Sequence, residues 1–333
     1  MQDIERKVIA ILKILSGEKE PVGAGQISKL LKKHGIDLTE RAVRYHLKIT
    51  DERGLTKPNG KKGRLLTDKG REEVSNALVA DKLGLVITKI DTLSYLADVD
   101  LKKKSGNVII NISFIPRELF KSALETMRDA FAAKLGICDL VAIAHGGETL
   151  GNIEVPRDSV AFGSVCSITL NSLFLQAGIP IDSRFGGIVQ FEKGKALRFT
   201  DLITYSGTTI DPLEIFIASK MTSVLEVSKT GSGKVLASFR DIPAVAPEKA
   251  SVIIEDLKEA GFYGVLAFGR PGQPVLEMEV NQGRIGMVFM GGLNPLASLE
   301  EAGIKTNSQA MSTLINYQRL VNFWDLLESE KGG

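Results

Sequence analysis

Arg41, Arg44, Tyr45 and Lys48 stand at i, i+3, i+4 and i+7, so a helix carries all four on one stripe. Three cations and an aromatic on one face suit recognition in a DNA major groove. Arginine pairs with guanine or phosphate, lysine with phosphate, and tyrosine donates to either. Downstream, Lys61, Lys62 and Arg64 crowd a Gly-rich turn, Asn59-Gly60-Lys61-Lys62-Gly63, between two short stretches that read as strands. A basic hairpin tip of that kind reaches a DNA backbone or minor groove. Other reactive residue types are sparse. Cys138 and Cys166 are the only cysteines, and His34, His46 and His145 the only histidines. No CxxC or HxxxH spacing exists, which argues against a zinc site. No local signature surrounds Cys166 or His145 to mark a thiol–imidazole dyad, and Cys166 sits in an apolar run where cysteine acts as a small hydrophobe. Gly231-Ser232-Gly233-Lys234 lacks the full phosphate-loop spacing and reads as a turn. Ser206-Gly207-Thr208-Thr209 before Asp211-Pro212 sets hydroxyls and amides at a helix N-terminus over Leu213–Lys220, which suits an anion or an ordinary cap. A binding protein is expected, not an enzyme.

The elements that hold the basic stripe follow from periodicity. Ile4, Val8, Ile11, Leu12 and Leu15 predict a helix over 3–16, broken by Gly17 and Pro21. Ile27, Leu30 and Leu31 predict a second over Gly25–Lys33, stopped by His34-Gly35. Thr39 stands at an N-cap position with Glu40 in the first turn, so the stripe belongs to a third helix over 40–53 whose Val43 and Leu47 face inward. Thr67 or Asp68 caps a fourth helix. Three helices, a basic hairpin and a helix in that order predict a winged helix-turn-helix over 1–75. Residues 1–80 hold 17 Lys and Arg against 11 Asp and Glu, whereas the rest hold 25 against 29, in a chain of net charge +2. A basic head on a mildly acidic body favours double-stranded DNA as partner over a winged helix used only for protein contact.

With 333 residues, 44% apolar and 25% charged, the chain has room for two or three domains of ordinary globular composition. The apolar run Leu135–Ala144 is short of the roughly 20 residues a bilayer needs, so no membrane partner is expected. The acidic, polar start does not read as a signal peptide, and two cysteines fit a reduced, cytoplasmic setting. A largely helical connector is expected over about 68–97, closing in the polar run Asp98–Gly106, so that 76–106 separates head and body. Its Leu78, Leu83, Val86, Ile90, Leu93 and Leu96 either line a dimer seam or dock on the body. The body repeats. NVIINISFIP (107–116) matches KVLASFRDIP (234–243), LNSLFLQAGI (170–179) matches LNPLASLEEAGI (293–304), and FTDL (199–202) matches FWDL (323–326). The halves are 107–229 and 230–330. Each reads as strand, helix (Arg117–Leu135; Pro247–Ala260), strand (Leu140–Ala144; Gly264–Phe268), strand (Ser159–Leu170; Arg284–Met290), then a small-residue turn and helix. The fold class is α+β with α/β character, an internally duplicated mixed effector domain. Phe199–Glu226 extends past the repeat in the first half only.

The segments NVIINISFIP, SITLNSLFLQAGIP, DSRFGGIVQ, RFTDLITYSGTTIDPLEIFIASKMTSV and MGGLNPLASLEEAGI together resemble the archaeal global nitrogen-regulatory repressors of the NrpR type, over essentially residues 1–330. Some members carry two regulatory domains in tandem; this chain carries one. The resemblance implies a homodimeric or larger transcriptional repressor of nitrogen-assimilation genes on palindromic operators. It implies no cofactor, and 2-oxoglutarate as inducer. Control by a different small molecule or by a partner protein is the alternative. A dicarboxylate needs cationic or N–H partners at both ends. Arg184 beside Gly186 and Gly187 is the first choice, and Asn171, Thr208, Thr209 and His145 are further candidates. Asn171 and Asn294 hold equivalent repeat positions, so a structural role for Asn171 competes.

Overall fold

Amphipathic spacing closes the N-terminal helices. The computed structural model describes residues 2–18, 20–33, 36–81 and 85–331. It divides into two compact units, Met1–Leu83 and Gly84–Gly333. In the first, α1 (Gln2–Ser16), α2 (Ala24–Lys33) and α3 (Glu40–Glu52) bury Val8, Ile11, Leu12, Ile27, Leu31, Val43 and Leu47 in one core. The His34-Gly35 stop lies outside the described residues. β1 (Thr56–Pro58) and β2 (Arg64–Leu66) form the predicted antiparallel wing, and α4 (Asp68–Asp81) follows, its Gly70 N–H donating to the Thr67 hydroxyl at 3.0 Å. Val22 and Arg64 exchange two backbone bonds of 3.0 Å each, which tie the wing to the loop after α1. Gly63 permits that approach: its φ is +126°, and a Cβ there would meet the Val22 carbonyl at 2.3 Å.

The second unit opens with α5 (Leu85–Leu96) and continues through β3 (Asn107–Pro116), α6 (Phe120–Ala132), β4 (Leu140–His145), a small hairpin β5 (Thr149–Leu150) and β6 (Ile153–Glu154), β7 (Ser159–Val165) and α7 (Ile168–Gln176). A long hairpin follows, β8 (Asp182–Glu192) and β9 (Lys195–Thr204), then α8 (Pro212–Ala218) and α9 (Val224–Thr230). The second half repeats the start: β10 (Gly233–Pro243), α10 (Pro247–Glu259), β11 (Val265–Phe268), β12 (Arg284–Met290), α11 (Asn294–Glu301) and β13 (Asn307–Asn316), ending in β14 (Val321–Asn322) and α12 (Phe323–Lys331).

The strands form two five-stranded sheets, ordered β13-β3-β7-β4-β14 and β11-β12-β10-β8-β9. Corresponding strands occupy corresponding places, so the duplication is structural. The halves also trade strands. β8, from the first half, pairs along β10 of the second, and β13, from the second, pairs along β3 of the first. Aromatic contacts join the two halves in each sheet's core. Phe185 of β8 stacks on Phe239 of β10 with centroids 5.1 Å apart. Phe323, just after β14, stacks on Phe131 of α6 at 3.9 Å. Such pairs add about 0.5–1.5 kcal/mol each beyond the area they bury.

Several expectations change. The third strand of the first half ends at Val165, and α7 begins at Ile168, well before Asn171. The FTDL–FWDL match is not structural. Phe199–Leu202 runs in β9, paired with β8, while Phe323–Leu326 opens α12, where the Asn322 side chain accepts from the Trp324 N–H at 2.9 Å. A short helical start and a strand share three of four letters because each uses an apolar first and fourth residue. The connector is two helices, α4 in the first unit and α5 in the second. Val86 and Ile90 of α5 are buried in the second unit's core and Leu93 packs against it, so this helix docks, while Leu96 is exposed. The side chains of Leu78 and Leu83 lie outside the described residues. Asp98–Gly106, taken as a boundary, belongs to the second unit: Val99 and Leu101 enter its core, and Asp100 and Ser105 bridge.

Asn294 holds α11 to β10. Its fully buried amide accepts from the Leu236 N–H at 2.8 Å and donates to the Leu236 carbonyl at 2.9 Å. Asn294→Ala takes this partner from the buried Leu236 N–H, while the Leu236 carbonyl keeps the Gly291 N–H at 2.8 Å, and is expected to cost about 1–3 kcal/mol of second-unit stability, read as a lower denaturant midpoint.

Candidate functional site

The third helix presents its basic stripe outward. Thr39 caps α3, accepting from the Ala42 N–H at 3.3 Å, and Val43, His46, Leu47 and Thr50 are buried on the inner face. Arg41, Arg44, Tyr45 and Lys48 are all exposed, and Tyr45 retains 60% of its surface. The Tyr45 ring meets that of His46 edge to face, with centroids 5.4 Å apart. Arg44 pairs with Glu40 one turn earlier, and Lys48 lies 3.9 Å from Glu52. Such exposed pairs are weak, of order 0–1 kcal/mol, so both cations remain available to phosphate. On the wing, Lys62 is exposed, as is Lys57, which the sequence reading did not single out. The Lys61 side chain lies outside the described residues. Arg64 departs from expectation. Its Nε pairs with Asp51 of α3 at 2.8 Å, and Asp51 also accepts from the Thr56 hydroxyl. Arg64 braces the wing against the helix.

The polar centre of the second unit forms around a residue the sequence reading passed over. Arg240 of β10 is completely buried. Its Nε donates to Asn171 Oδ1 at 2.6 Å, one Nη to the Ser238 hydroxyl, and the other to the Ser167 hydroxyl at 3.1 Å. The guanidinium lies 4.6 Å from the centre of the Phe289 ring. Asn171 in turn donates to Ser183 at 3.1 Å. Ser167 and Asn171 belong to the first half and Arg240 and Ser238 to the second, so the cluster lies in the seam between them. Burial lowers the Arg240 pKa, opposed by nearby Tyr205, Cys166 and Asp211. The signal in the sequence was an arginine inside an otherwise apolar strand, VLASFRDIP.

Of the predicted effector residues, the structure brings Asn171 to this centre. Arg184 is the extra residue of a β-bulge, since Phe239 pairs with Phe185 but Arg240 with Ser183. A bulge re-aims its side chain. Arg184 is half-exposed and lies 3.6 Å from Asp241, an acid it shares with Arg284. Gly186 and Gly187 do not open the backbone to an anion. They lie inside the sheet, paired on both sides, because a Cβ would strike Pro212 at 2.9 Å and the Asp201 carbonyl at 2.5 Å respectively. His145 sits at the end of β4 in a separate 450 Å³ pocket with Arg117, Lys121 and Glu330. Thr208 and Thr209 are half-buried in the segment before α8, and the Thr208 hydroxyl is buried without a hydrogen-bond partner. The N-terminus of α8 is already capped: the Asp211 carboxylate accepts from the Leu213 N–H at 2.8 Å.

Residues 83–322 match the family model described as NrpR regulatory domains NRD1 and 2. The chain belongs to the NrpR family. Residues 9–74 match the model of the ribonuclease R winged-helix domain. The chain is 37% identical over 317 residues to the global nitrogen regulator NrpRI of Methanosarcina mazei, covering 95% of this chain and 98% of that protein. It is 36% identical to the global nitrogen regulator NrpR of Methanococcus maripaludis over 92% of this chain, and 33% identical to that of Methanocaldococcus jannaschii over 96%. It spans 53% and 55% of those two proteins. A crystal structure of a nitrogen repressor-like protein from Methanococcus jannaschii aligns with a TM-score of 0.60 and 28% identity, over 72% of this chain and 98% of that one. As an NrpR-family protein the chain is a nitrogen-regulatory transcriptional repressor and not an enzyme.

The thiols of this NrpR chain agree with that assignment. Burial pushes Cys138 up to about 12 and Cys166 to about 11, so neither is a thiolate at neutral pH. Among the described residues no helix is long and apolar enough to cross a membrane, and no cluster of three metal-ligating side chains forms. Burial also raises Asp211 to about 7; the Leu213 amide works against this, Glu214 adds to it, and Lys89 and Arg240 oppose it. A carboxyl that binds its proton more tightly when folded stabilises the folded state at low pH and loses that contribution as pH rises through about 7. Asp211→Asn keeps the cap without the charge. Its melting temperature is therefore expected to gain on that of the unmodified protein from pH 4.5 to pH 8, roughly the interval between the two pKa values. Arg64→Ala is expected to destabilise the winged helix by about 1 kcal/mol while leaving the salt dependence of DNA binding unchanged, as a brace and not a phosphate contact.

Proposed function

We propose that this protein represses nitrogen-assimilation genes by binding double-stranded operator DNA through α3 and the wing, and that a small dicarboxylate, 2-oxoglutarate, binds the duplicated unit and releases it. The observation that carries the DNA part is the outward stripe of Arg41, Arg44, Tyr45 and Lys48, with Lys62 on the wing, in a chain of a repressor family. An exposed tyrosine among three cations suits a groove of phosphates and base edges. The names of the relatives support the nitrogen reading, and the buried cation in the second unit supports an anionic effector. A homodimer is the expected form, since two winged helices then meet half-sites about one turn of DNA apart. Effector and operator act on one equilibrium, so DNA weakens effector binding by the same factor that effector weakens DNA binding.

The test is operator binding by the purified protein at fixed salt, titrated with 2-oxoglutarate and, separately, succinate. The operator is a palindromic fragment selected by the protein from genomic DNA. Release by 2-oxoglutarate and not by succinate is expected; tight binding indifferent to both overturns the sensor part and keeps the repressor. Arg44→Ala is expected to cost about 1–3 kcal/mol of operator affinity, and Lys62→Ala to reduce the slope of log K against log salt by about 1. Unchanged affinity in Arg44→Ala overturns the assignment of the stripe.

A further inference from the structure

A fully buried guanidinium calls for a counter-charge in contact with it, and Arg240 has none. Among the described residues no carboxylate lies within ion-pair distance of it; its hydrogen bonds go to Asn171, Ser238 and Ser167, all neutral. Arginine does not shed its proton in proteins, so the cost of an unpaired buried charge stays in the folded state. Two further features deepen the positive potential. The guanidinium reaches the Ser167 hydroxyl at the N-terminus of α7, and the first turn of α7 contains no acidic residue. Ser167, at the cap position, gives its oxygen to Arg240 and caps no amide.

Packing alone does not require this arginine, as the duplicated fold itself demonstrates. Arg240 of β10 corresponds to Ser113 of β3, and there neutral pairs, Ser113 with Ser308 at 2.6 Å and Asn111 with Ser164 at 3.3 Å, close the seam. Asn171 of α7 corresponds to Asn294 of α11. Asn294 spends both ends of its amide on the Leu236 backbone. In the first half Thr169 does that work on Ile109, donating and accepting at 3.1 and 3.0 Å. Asn171 is thereby free to face Arg240. The two repeats thus depart from each other in a matched way, with a threonine substituting for the clamp, an asparagine released and a cation introduced.

We propose that the buried polar cluster of Arg240, Asn171, Ser167 and Ser238, covered by the segment from Tyr205 to Asp211, is the site where the effector's carboxylate binds. This rests on the reading of the protein as an anion-sensing repressor and names where the anion goes. The carboxylate takes the place of Asn171 Oδ1 on the guanidinium, which offers two parallel N–H donors to it. The covering segment is the way in. Tyr205 and Asp211 at its two ends both interact electrostatically with Arg240. Between them lies the Thr208 hydroxyl, buried without a partner. Its turn is closed by a long bond, Thr208 N–H to the Tyr205 carbonyl at 3.5 Å, so it opens at small cost. Moving Asn171 off Arg240 changes the hold of the first half on the second. The helix that carries Asn171 also carries α5, the element that follows the winged helix in the chain.

The decisive variant supplies the missing charge. In Asn171→Asp a carboxylate of the protein itself occupies the guanidinium. Calorimetric titration with 2-oxoglutarate, succinate and inorganic phosphate is run on the unmodified protein, Asn171→Asp, Arg240→Met and Thr208→Val, with thermal melts of each. Asn171→Asp is expected to melt at or above the temperature of the unmodified protein, to keep operator binding, and to lose about a hundredfold in effector affinity. Arg240→Met is expected to lose as much, and Thr208→Val about tenfold, the worth of one hydrogen bond. If Asn171→Asp binds 2-oxoglutarate as the unmodified protein does, the site lies elsewhere and the sensor reading survives. If the unmodified protein binds none of the three probes, the sensor reading fails and this site with it. Should Arg240→Met not fold, Asn171→Asp, which keeps the guanidinium, decides the matter alone.

Discussion

The pairing of β8 with β10 and of β13 with β3 is the constraint on which the second unit is built. The first half gives β8 and β9, and the second half β13 and β14, to the other half's sheet, so neither sheet is complete without both halves. The hydrogen bonds of those two ladders are non-local, between segments far apart in the chain, and their entropic cost is recovered only when both sheets close together. Strand exchange also determines what becomes buried. Phe185 and Phe199 of the hairpin meet Phe239, and Phe323 meets Phe131, so each sheet's aromatic cluster contains residues of both halves.

The same exchange creates a polar seam. Strand β10 lies against β8, and its Arg240 crosses to α7, whose Ser167 and Asn171 come from the first half. A guanidinium placed there links the halves by hydrogen bonds whose geometry an anion would change. This is the arrangement a switch needs: a bond across an interface that a ligand can replace, and two related bodies whose contact depends on it. The first half's counterpart seam, closed by Asn111, Ser164, Ser113 and Ser308, is neutral and lacks that sensitivity. Duplication supplied two seams, and divergence put the charge in one.

The winged helix is organised differently. Its contacts are local, and its signals were legible residue by residue: Thr39 as cap, Val43 and Leu47 inward, the stripe outward, Gly63 at the wing's tight contact. The one wing residue that departed from its reading, Arg64, did so because Asp51 of the preceding helix lies within reach, and that proximity depends on how the hairpin folds back. Charge type is visible in a sequence, while the partner of a charge is not.

The amino-acid sequence by itself determined the basic head, its helix order and the basic face of α3 that points to solvent, because helical periodicity and capping are local. It also determined that the body is duplicated, since repeated letters need no structure to be seen. It offered Asn171 only as one effector candidate among several, with its repeat position arguing for a structural role. What only tertiary structure decided was which residues face one another across the seam. Strand alternation sends neighbours to opposite faces, and one bulge in β8 turns Arg184 outward to Asp241 while Ser183 turns in to Asn171. Arg240 was hidden for the same reason. Its significance is the absence of an acid within ion-pair distance, and what surrounds a buried charge is set by segments distant in the 333-residue chain: Asn171 and Ser167 lie 69 and 73 residues before it.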